Sequence, residues 1–185
     1  MLVGEKIRLR AVERDDLPRY ARWLSDPDVM HGLSLFAPMS LAQEELWFAE
    51  ILKHPVAEQS LAIDLRVRGR WEHIGGIGFT SIDWRCRSAE FGIHIGEKKY
   101  WNKGCGTDAV NALLRYGFET LNLNRVWLRV FDYNKRAQRA YEKAGFTKEG
   151  LYREGHFFQG QYWDVLLYSI LRREWEALRG GAKER

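Results

Sequence analysis

The chain has 185 residues, 45% hydrophobic and 29% charged, a balance that fits one soluble domain with a sizeable core and excludes a disordered chain. Lys+Arg 29 against Asp+Glu 25 gives a formal net charge of +4, with the two signs interleaved. That suits a polyanionic small ligand and is far from a nucleic-acid-binding signature. No apolar run is long enough to cross a bilayer, and the N-terminal MLVGEKIRLRAVERDD lacks the apolar core and cleavage site of a signal peptide. Two cysteines in unrelated contexts, Cys86 and Cys105, make neither a disulfide framework nor a zinc site. The expected setting is reducing cytoplasm, with no metal, membrane or nucleic-acid partner.

KIRLRAV, Lys6–Val12, alternates and reads as a first strand. DDLPRYARWLSD follows as a helix, with Asp15 as N-cap, Pro18 in the first turn, and Tyr20, Trp23 and Leu24 sharing a face. DPDVMHGLSLFAPMS, from Asp26, reads as a long irregular loop. A second helix is expected from about Leu41 to Leu52, opened by the capping-box spacing of Ser40 and Gln43. SLAIDLRV and WEHIGGIGFTSID are β-rich runs joined by the turn signal RGR. In SAEFGIHIG, Ser88–Gly96, Phe91, Ile93 and Ile95 face one way, and Glu90, Gly92 and His94 the other.

YWNKGCGTDA, from Tyr100, leads into a helix from about Thr107 to Thr120 whose Val110, Leu113, Leu114 and Phe118 keep helical spacing. RVWLRVF, Arg125–Phe131, is a strand. NKRAQRAYEKAG is a short helix that Asn134 caps and Gly145 ends. FTKEGLYREGHF and QYWDVLLYSILRR form a hairpin around Gln159–Gly160, and REWEALRG a last helix. The order is a mixed α/β sheet with helices packed on it.

A glycine loop feeding a helix N-terminus suits anion binding. The first-turn N–H groups lack intrahelical partners, the helix dipole adds positive charge, and glycine lets the backbone approach phosphate oxygens. Lys98, Lys99 and Lys103 add charge nearby. For Gly104 and Gly106 alone, a merely tight turn is an equal reading. A Walker loop fails, since Thr107-Asp108 stands where Lys-Ser/Thr is needed. Gly104, Gly106 and Ala109 satisfy the loose dinucleotide fingerprint, but EKKYWNK separates them from the strand and the preceding strands read as a meander, so that reading ranks second.

The loop Trp101-Asn102-Lys103-Gly104-Cys105-Gly106 resembles the Q/R-x-x-G-x-G/A pyrophosphate loop of GNAT-type N-acetyltransferases, with Trp101 where Gln or Arg is usual. NKRAQRAYEKAGF is similar to the family's N-x-x-A-x-x-x-Y-E-K-x-G-F segment, with Asn134, Ala137, Tyr141, Gly145 and Phe146 in place. IRLRAVERDDLPRYARWLSDPDV and LYREGHFFQGQYWDVLLYSIL resemble the RimJ/RimL-like and spermidine N-acetyltransferase branch. The resemblance spans nearly the whole chain, three motifs agreeing in order and spacing. It implies one acyl-CoA N-acyltransferase domain over residues 1–185, with a mixed, mostly antiparallel central sheet flanked by helices.

Moving acetyl from a thioester to an amine requires a proton acceptor for the amine, donors for the developing oxyanion, and an acid for the leaving thiolate. The resemblance implies acetyl-CoA as co-substrate, its pyrophosphate held by Lys99, Trp101, Asn102, Lys103, Gly104, Cys105, Gly106 and Thr107. Backbone N–H groups near His94 and Ile95 would polarise the acetyl carbonyl, and Asn134, Ala137 and Tyr141 would meet the pantetheine arm, with Asn134 also a helix cap. Glu90 is the candidate base, against a reading as an ordinary ion-paired glutamate. His94 is an alternative relay or a structural histidine. Tyr141 is the candidate acid, against a core aromatic. Cys105 at a helix N-terminus invites a covalent role, but no histidine adjoins it and direct transfer needs no thiol.

The segment from Asp26 to Met39 lies where this branch shapes its acceptor site. Asp28, His31 and Asp83 are candidate amine contacts, or ordinary polar loop residues. Trp23, Trp47, Trp84 and Trp163 could line a pocket, though most read as core. Phe157, Phe158, Tyr162 and Trp163 read as core or as the face of a homodimer. The acceptor classes that stay open are a protein N-terminal amine and a small-molecule amine such as a polyamine, an amino sugar or an antibiotic. A catalytically silent acyl-CoA sensor is the other class.

Overall fold

The computed structural model describes residues 2–180. Its fold class is mixed α/β, with eight strands in the order β1-β2-β3-β4-β5-β6-β8-β7 and six α-helices among the described residues. The chain gathers into two compact units. The first takes the chain up to Thr80 together with Gly92–Leu113; the second takes Ser81–Phe91 together with the chain after Leu113.

In the first unit, the expected first strand is preceded by a short one. β1 (Leu2–Val3) pairs antiparallel with β2 (Ile7–Ala11). α1 (Leu17–Trp23) follows one turn of 3-10 helix, Arg14–Asp16. Asp15 is not the cap: the Glu13 N–H donates to the Asp16 carboxylate at 2.9 Å, closing that turn one residue later. The stretch after Asp26 contains a helix that the loop reading lacked, α2 (Pro27–Met30), capped where Asp26 accepts from the Asp28 N–H at 3.0 Å. α3 (Leu41–Ile51) opens on the expected capping box, with Gln43 N–H to Ser40 Oγ at 3.2 Å and Ser40 N–H to Gln43 Oε1 at 2.8 Å.

Phe48 of α3 packs with Leu17 and Tyr20 of α1 and Ala62 of β3 (Leu61–Val67). β2, β3 and β4 (Arg70–Asp83) form antiparallel ladders, and the β3–β4 turn places Arg68 and Gly69 at φ 47° and 82°, as the RGR signal implied. β5 (Ser88–Ile95) runs from the second unit into the first. α4 (Cys105–Arg115) begins two residues earlier than its expected start, and its Val110, Leu113 and Leu114 are buried.

In the second unit, β5 pairs parallel with β6 (Arg125–Phe131) through Ser88–Glu90 against Arg125–Trp127. β6 pairs antiparallel with β8 (Gln161–Leu171), and β8 with β7 (Thr147–Phe158). The β7–β8 turn is at Gln159–Gly160, φ 50° and 81°. One π-helical turn, Tyr116–Thr120, continues α4, and its Phe118 lies 5.2 Å from the Trp175 ring of α6 (Arg172–Gly180). α5 (Lys135–Lys143) is capped by Asn134 and stopped by Gly145 at φ 92°. At the hairpin tip Phe157 and Tyr162 are exposed, their rings 5.0 Å apart, so they are not core.

Candidate active site

The glycine loop sits in the first unit. Asn102 and Gly104 take φ of 59° and 79°, and the Gly104 carbonyl accepts the Asp108 N–H at 3.0 Å to open α4. Gly104 is thus demanded by its own backbone. Gly106 is not. Its φ is ordinary, and a Cβ there would meet nothing nearer than an Ile95 side-chain atom at 4.0 Å. Nothing in the chain itself requires glycine at the first turn of this helix.

Trp101, in the position where Gln or Arg is usual, donates its indole N–H to the Ile95 carbonyl at 2.7 Å and ties the loop to the end of β5. The three lysines differ. Lys98 lies between Asp26 and Asp28 at 2.8 and 2.7 Å, and Lys99 pairs with Glu72 at 2.5 Å. Lys103 rests over the Tyr100 ring at 5.6 Å and makes no ion pair among the described residues, so of the three it is the one whose charge is uncompensated, and Lys6 adds positive charge near Cys105. Cys105 is buried, and burial pushes its thiol up, away from a nucleophilic thiolate. Thr107 is half-buried on the first turn.

Asp108 has a role that sequence reasoning missed. Its carboxylate accepts the N–H groups of Glu5, Lys6 and Ile7 at 2.9, 2.8 and 3.2 Å, pinning the β1–β2 turn to α4. The partners are a hundred residues apart in the chain, so no local signal announces them.

His94 does not lie on an open polar face. Its ring is packed against Tyr20 at 5.4 Å and Trp23 at 6.2 Å, and Nε2 is buried. Burial, then the charge of His73, push its imidazole down to about 4. His73 itself is fixed from both sides: Nε2 donates to the Gly75 carbonyl at 2.9 Å, and Nδ1 lies 3.0 Å from Asp16. Asp16 also takes a two-pronged bond from Arg10, at 2.7 and 2.8 Å, while Arg10 and Arg8 share Asp64. Burial acts to raise the Asp16 carboxyl; the Arg10 and His73 bonds override it and hold it well below the usual carboxylate range. This buried network was also not legible beforehand.

In the second unit, Glu90 is ion-paired. Arg129 donates from Nε to Oε1 at 2.7 Å and from Nη2 to Oε2 at 3.2 Å, a two-pronged pairing that leaves a second lone pair on each oxygen. Asn134 Oδ1 accepts the Ala137 N–H at 3.2 Å, the capping role expected of it. Gln138 donates to the Phe131 and Asp132 carbonyls at 3.1 and 2.9 Å, fixing α5 to the end of β6. Tyr141 is buried edge-on to Phe91, 6.0 Å apart at 89°, and beside Phe146 at 6.1 Å. Burial raises its phenol, which therefore stays protonated.

The amine contacts proposed from the acceptor-side segments fare differently. Asp28 is exposed and pairs with Lys98 at 2.7 Å, and Asp83, also exposed, accepts the Cys86 N–H at 2.8 Å to close the β4–β5 turn. His31 is exposed. Trp84 is exposed as well, while Trp23 is buried.

The description "Acetyltransferase (GNAT) domain" matches residues 6–147. The chain belongs to the GNAT acetyltransferase family. YdaF of Bacillus subtilis (strain 168), which carries a provisional ribosomal N-acetyltransferase name, is 38% identical over 94% of this chain and 96% of its own length. Spermidine N(1)-acetyltransferase of Vibrio cholerae is 31% identical over 94% of this chain and 97% of its own length. The crystal structure of the spermidine N-acetyltransferase from Vibrio cholerae, in complex with CoA and spermine, superposes with a TM-score of 0.84 at 29% identity, covering 94% of this chain and 99% of that one.

Proposed function

We propose that the chain, acting as one domain, transfers acetyl from acetyl-CoA directly to a primary amine, either a protein N-terminal amine or a small-molecule amine. The observation that carries this reading is Gly106, a glycine that neither its backbone angle nor its neighbours require. A close-approaching ligand at the α4 N-terminus supplies the missing reason, and the free cation of Lys103 gives that ligand its sign. The pyrophosphate of acetyl-CoA fits both, with the first-turn N–H groups of Cys105, Gly106 and Thr107 as donors.

The reaction balances without a covalent enzyme intermediate. The amine nitrogen attacks the thioester carbonyl, the C–S bond breaks, and the thiolate leaves. The Tyr141 O–H donates a hydrogen bond to the developing thiolate, and the carbonyl oxygen accepts hydrogen bonds from backbone N–H groups near His94 and Ile95. The proton lost by the amine passes through water to a free lone pair of the Glu90 carboxylate, which Arg129 holds in place. His94, held neutral, is the weaker candidate for that step.

The test is a panel of amines with acetyl-CoA, read by release of free thiol. Turnover of at least one amine, lowered about 100-fold by Tyr141→Phe and by Glu90→Gln, is the expected result. Binding of acetyl-CoA with no turnover across the panel would favour a silent acyl-CoA sensor instead.

A further inference from the structure

An acid in the first turn of a helix suits the helix dipole but opposes an anionic ligand bound there. Asp108 is such an acid, on the first turn of α4 that is read above as the pyrophosphate seat. Its charge is spent elsewhere. Oδ1 accepts the Glu5 N–H at 2.9 Å, and Oδ2 accepts the Lys6 and Ile7 N–H groups at 2.8 and 3.2 Å. Three successive N–H groups aimed at one carboxylate form an anion nest. The turn between β1 and β2 is shaped around it. A Cβ on Gly4 would lie 2.4 Å from Oδ1 and 2.8 Å from Oδ2, so only glycine lets the turn close this tightly. The Gly4 N–H donates to the Ile7 carbonyl at 2.9 Å and holds the turn shut.

What the nest brings to α4 is Lys6. Its N–H is bonded to the first turn of the helix, the residue is exposed, and it makes no ion pair among the described residues. The Cys105 thiol registers the cation. Burial raises that thiol most, and among the charges acting on it Lys6, which lowers it, is the strongest, ahead of Asp108 and Lys103. Lys98 and Lys99, by contrast, are engaged by Asp26, Asp28 and Glu72.

We propose that Lys6 is a further binding residue for the pyrophosphate of acetyl-CoA, and that Asp108 is the positioning residue that holds it there through the β1–β2 turn. This rests on the acetyltransferase reading above. An acid that would oppose the co-substrate thereby becomes the anchor of a cation that attracts it.

Calorimetric affinity for acetyl-CoA at two salt concentrations, with the melting temperature of each protein, tests this in Lys6→Met, Asp108→Asn and the double variant. Lys6→Met keeps the aliphatic stem of an exposed side chain. It should weaken binding about 5-fold and flatten its salt dependence. Asp108→Asn should weaken binding as well, whereas an acid with no hold on Lys6 would tighten it once its charge is removed. In the Lys6→Met background Asp108→Asn should cost less than about 2-fold, since the cation that it places is already gone. Lys6→Met should lose as much affinity for acetyl-CoA lacking the 3′-phosphate as for acetyl-CoA itself. Wild-type affinity in Lys6→Met, tighter binding in Asp108→Asn, full additivity in the double variant, or a loss confined to the form with the 3′-phosphate each overturns the proposal and leaves the acetyltransferase reading standing. Wild-type protein that binds no acetyl-CoA overturns that reading, and the proposal with it.

Discussion

Buried beside the charge of His73, the His94 imidazole resists protonation down to a pH of about 4, whereas an unfolded histidine protonates near 6.5. Between those values the unfolded chain binds the extra proton, so stability falls as pH drops from about 6.5 to about 4. Denaturant titrations across that window should show the loss in the wild type and a smaller loss in His94→Gln. An equal slope in both would place the titrating group elsewhere. Asp16 works the other way. Its depressed carboxyl contributes stability above the unfolded value of about 3.9, and that contribution is lost below it. Asp16→Asn leaves Arg10 and His73 facing an uncharged amide. It should cost about 3 kcal/mol at neutral pH, a gap that narrows in acid. None of these pairings was readable beforehand. Asp28 with Lys98, Glu90 with Arg129 and Asp16 with His73 are joined by folding across 70, 39 and 57 positions, and sequence patterning reaches only a few residues.

Helix ends were the most legible elements, because their signals are local. Ser40 with Gln43, Asn134, Gly145 and the Gln159–Gly160 turn all stand as their residue types implied. Ser40→Ala should lower stability by about 1 kcal/mol, measured by denaturant midpoint, and an unchanged midpoint would mean that the α3 cap adds nothing. The misplaced elements have local causes too. The Asp26-Pro27 pair is a good helix start that the surrounding loop residues obscured, and α4 begins at Cys105 because Gly104, at positive φ, is the last residue outside it. The glycines of this loop separate structure from ligand. Gly104→Ala should cost about 1 kcal/mol through its backbone angle. Gly106→Val should leave the melting temperature nearly unchanged yet weaken acetyl-CoA binding at least 10-fold. If Gly106→Val binds acetyl-CoA like the wild type, the glycine has no ligand-facing purpose.

Across the whole chain, the family was legible because three motifs kept their order and spacing, and the mixed, mostly antiparallel sheet follows. The acceptor was not, because the segment from Asp26 to Met39, which the resemblance assigns to it, carries no motif of fixed spacing. The net charge of +4 offers only a diffuse attraction for an anionic co-substrate, and specificity has to come from the loop. The direct measurement is therefore a calorimetric titration of the wild-type protein with acetyl-CoA, with ATP and NAD as controls. Saturable binding of acetyl-CoA, with ATP and NAD far weaker, is the result expected of a pyrophosphate loop set in an acetyltransferase. Absence of acetyl-CoA binding, or equal binding of all three, would contradict it and leave the Gly104–Gly106 loop a turn.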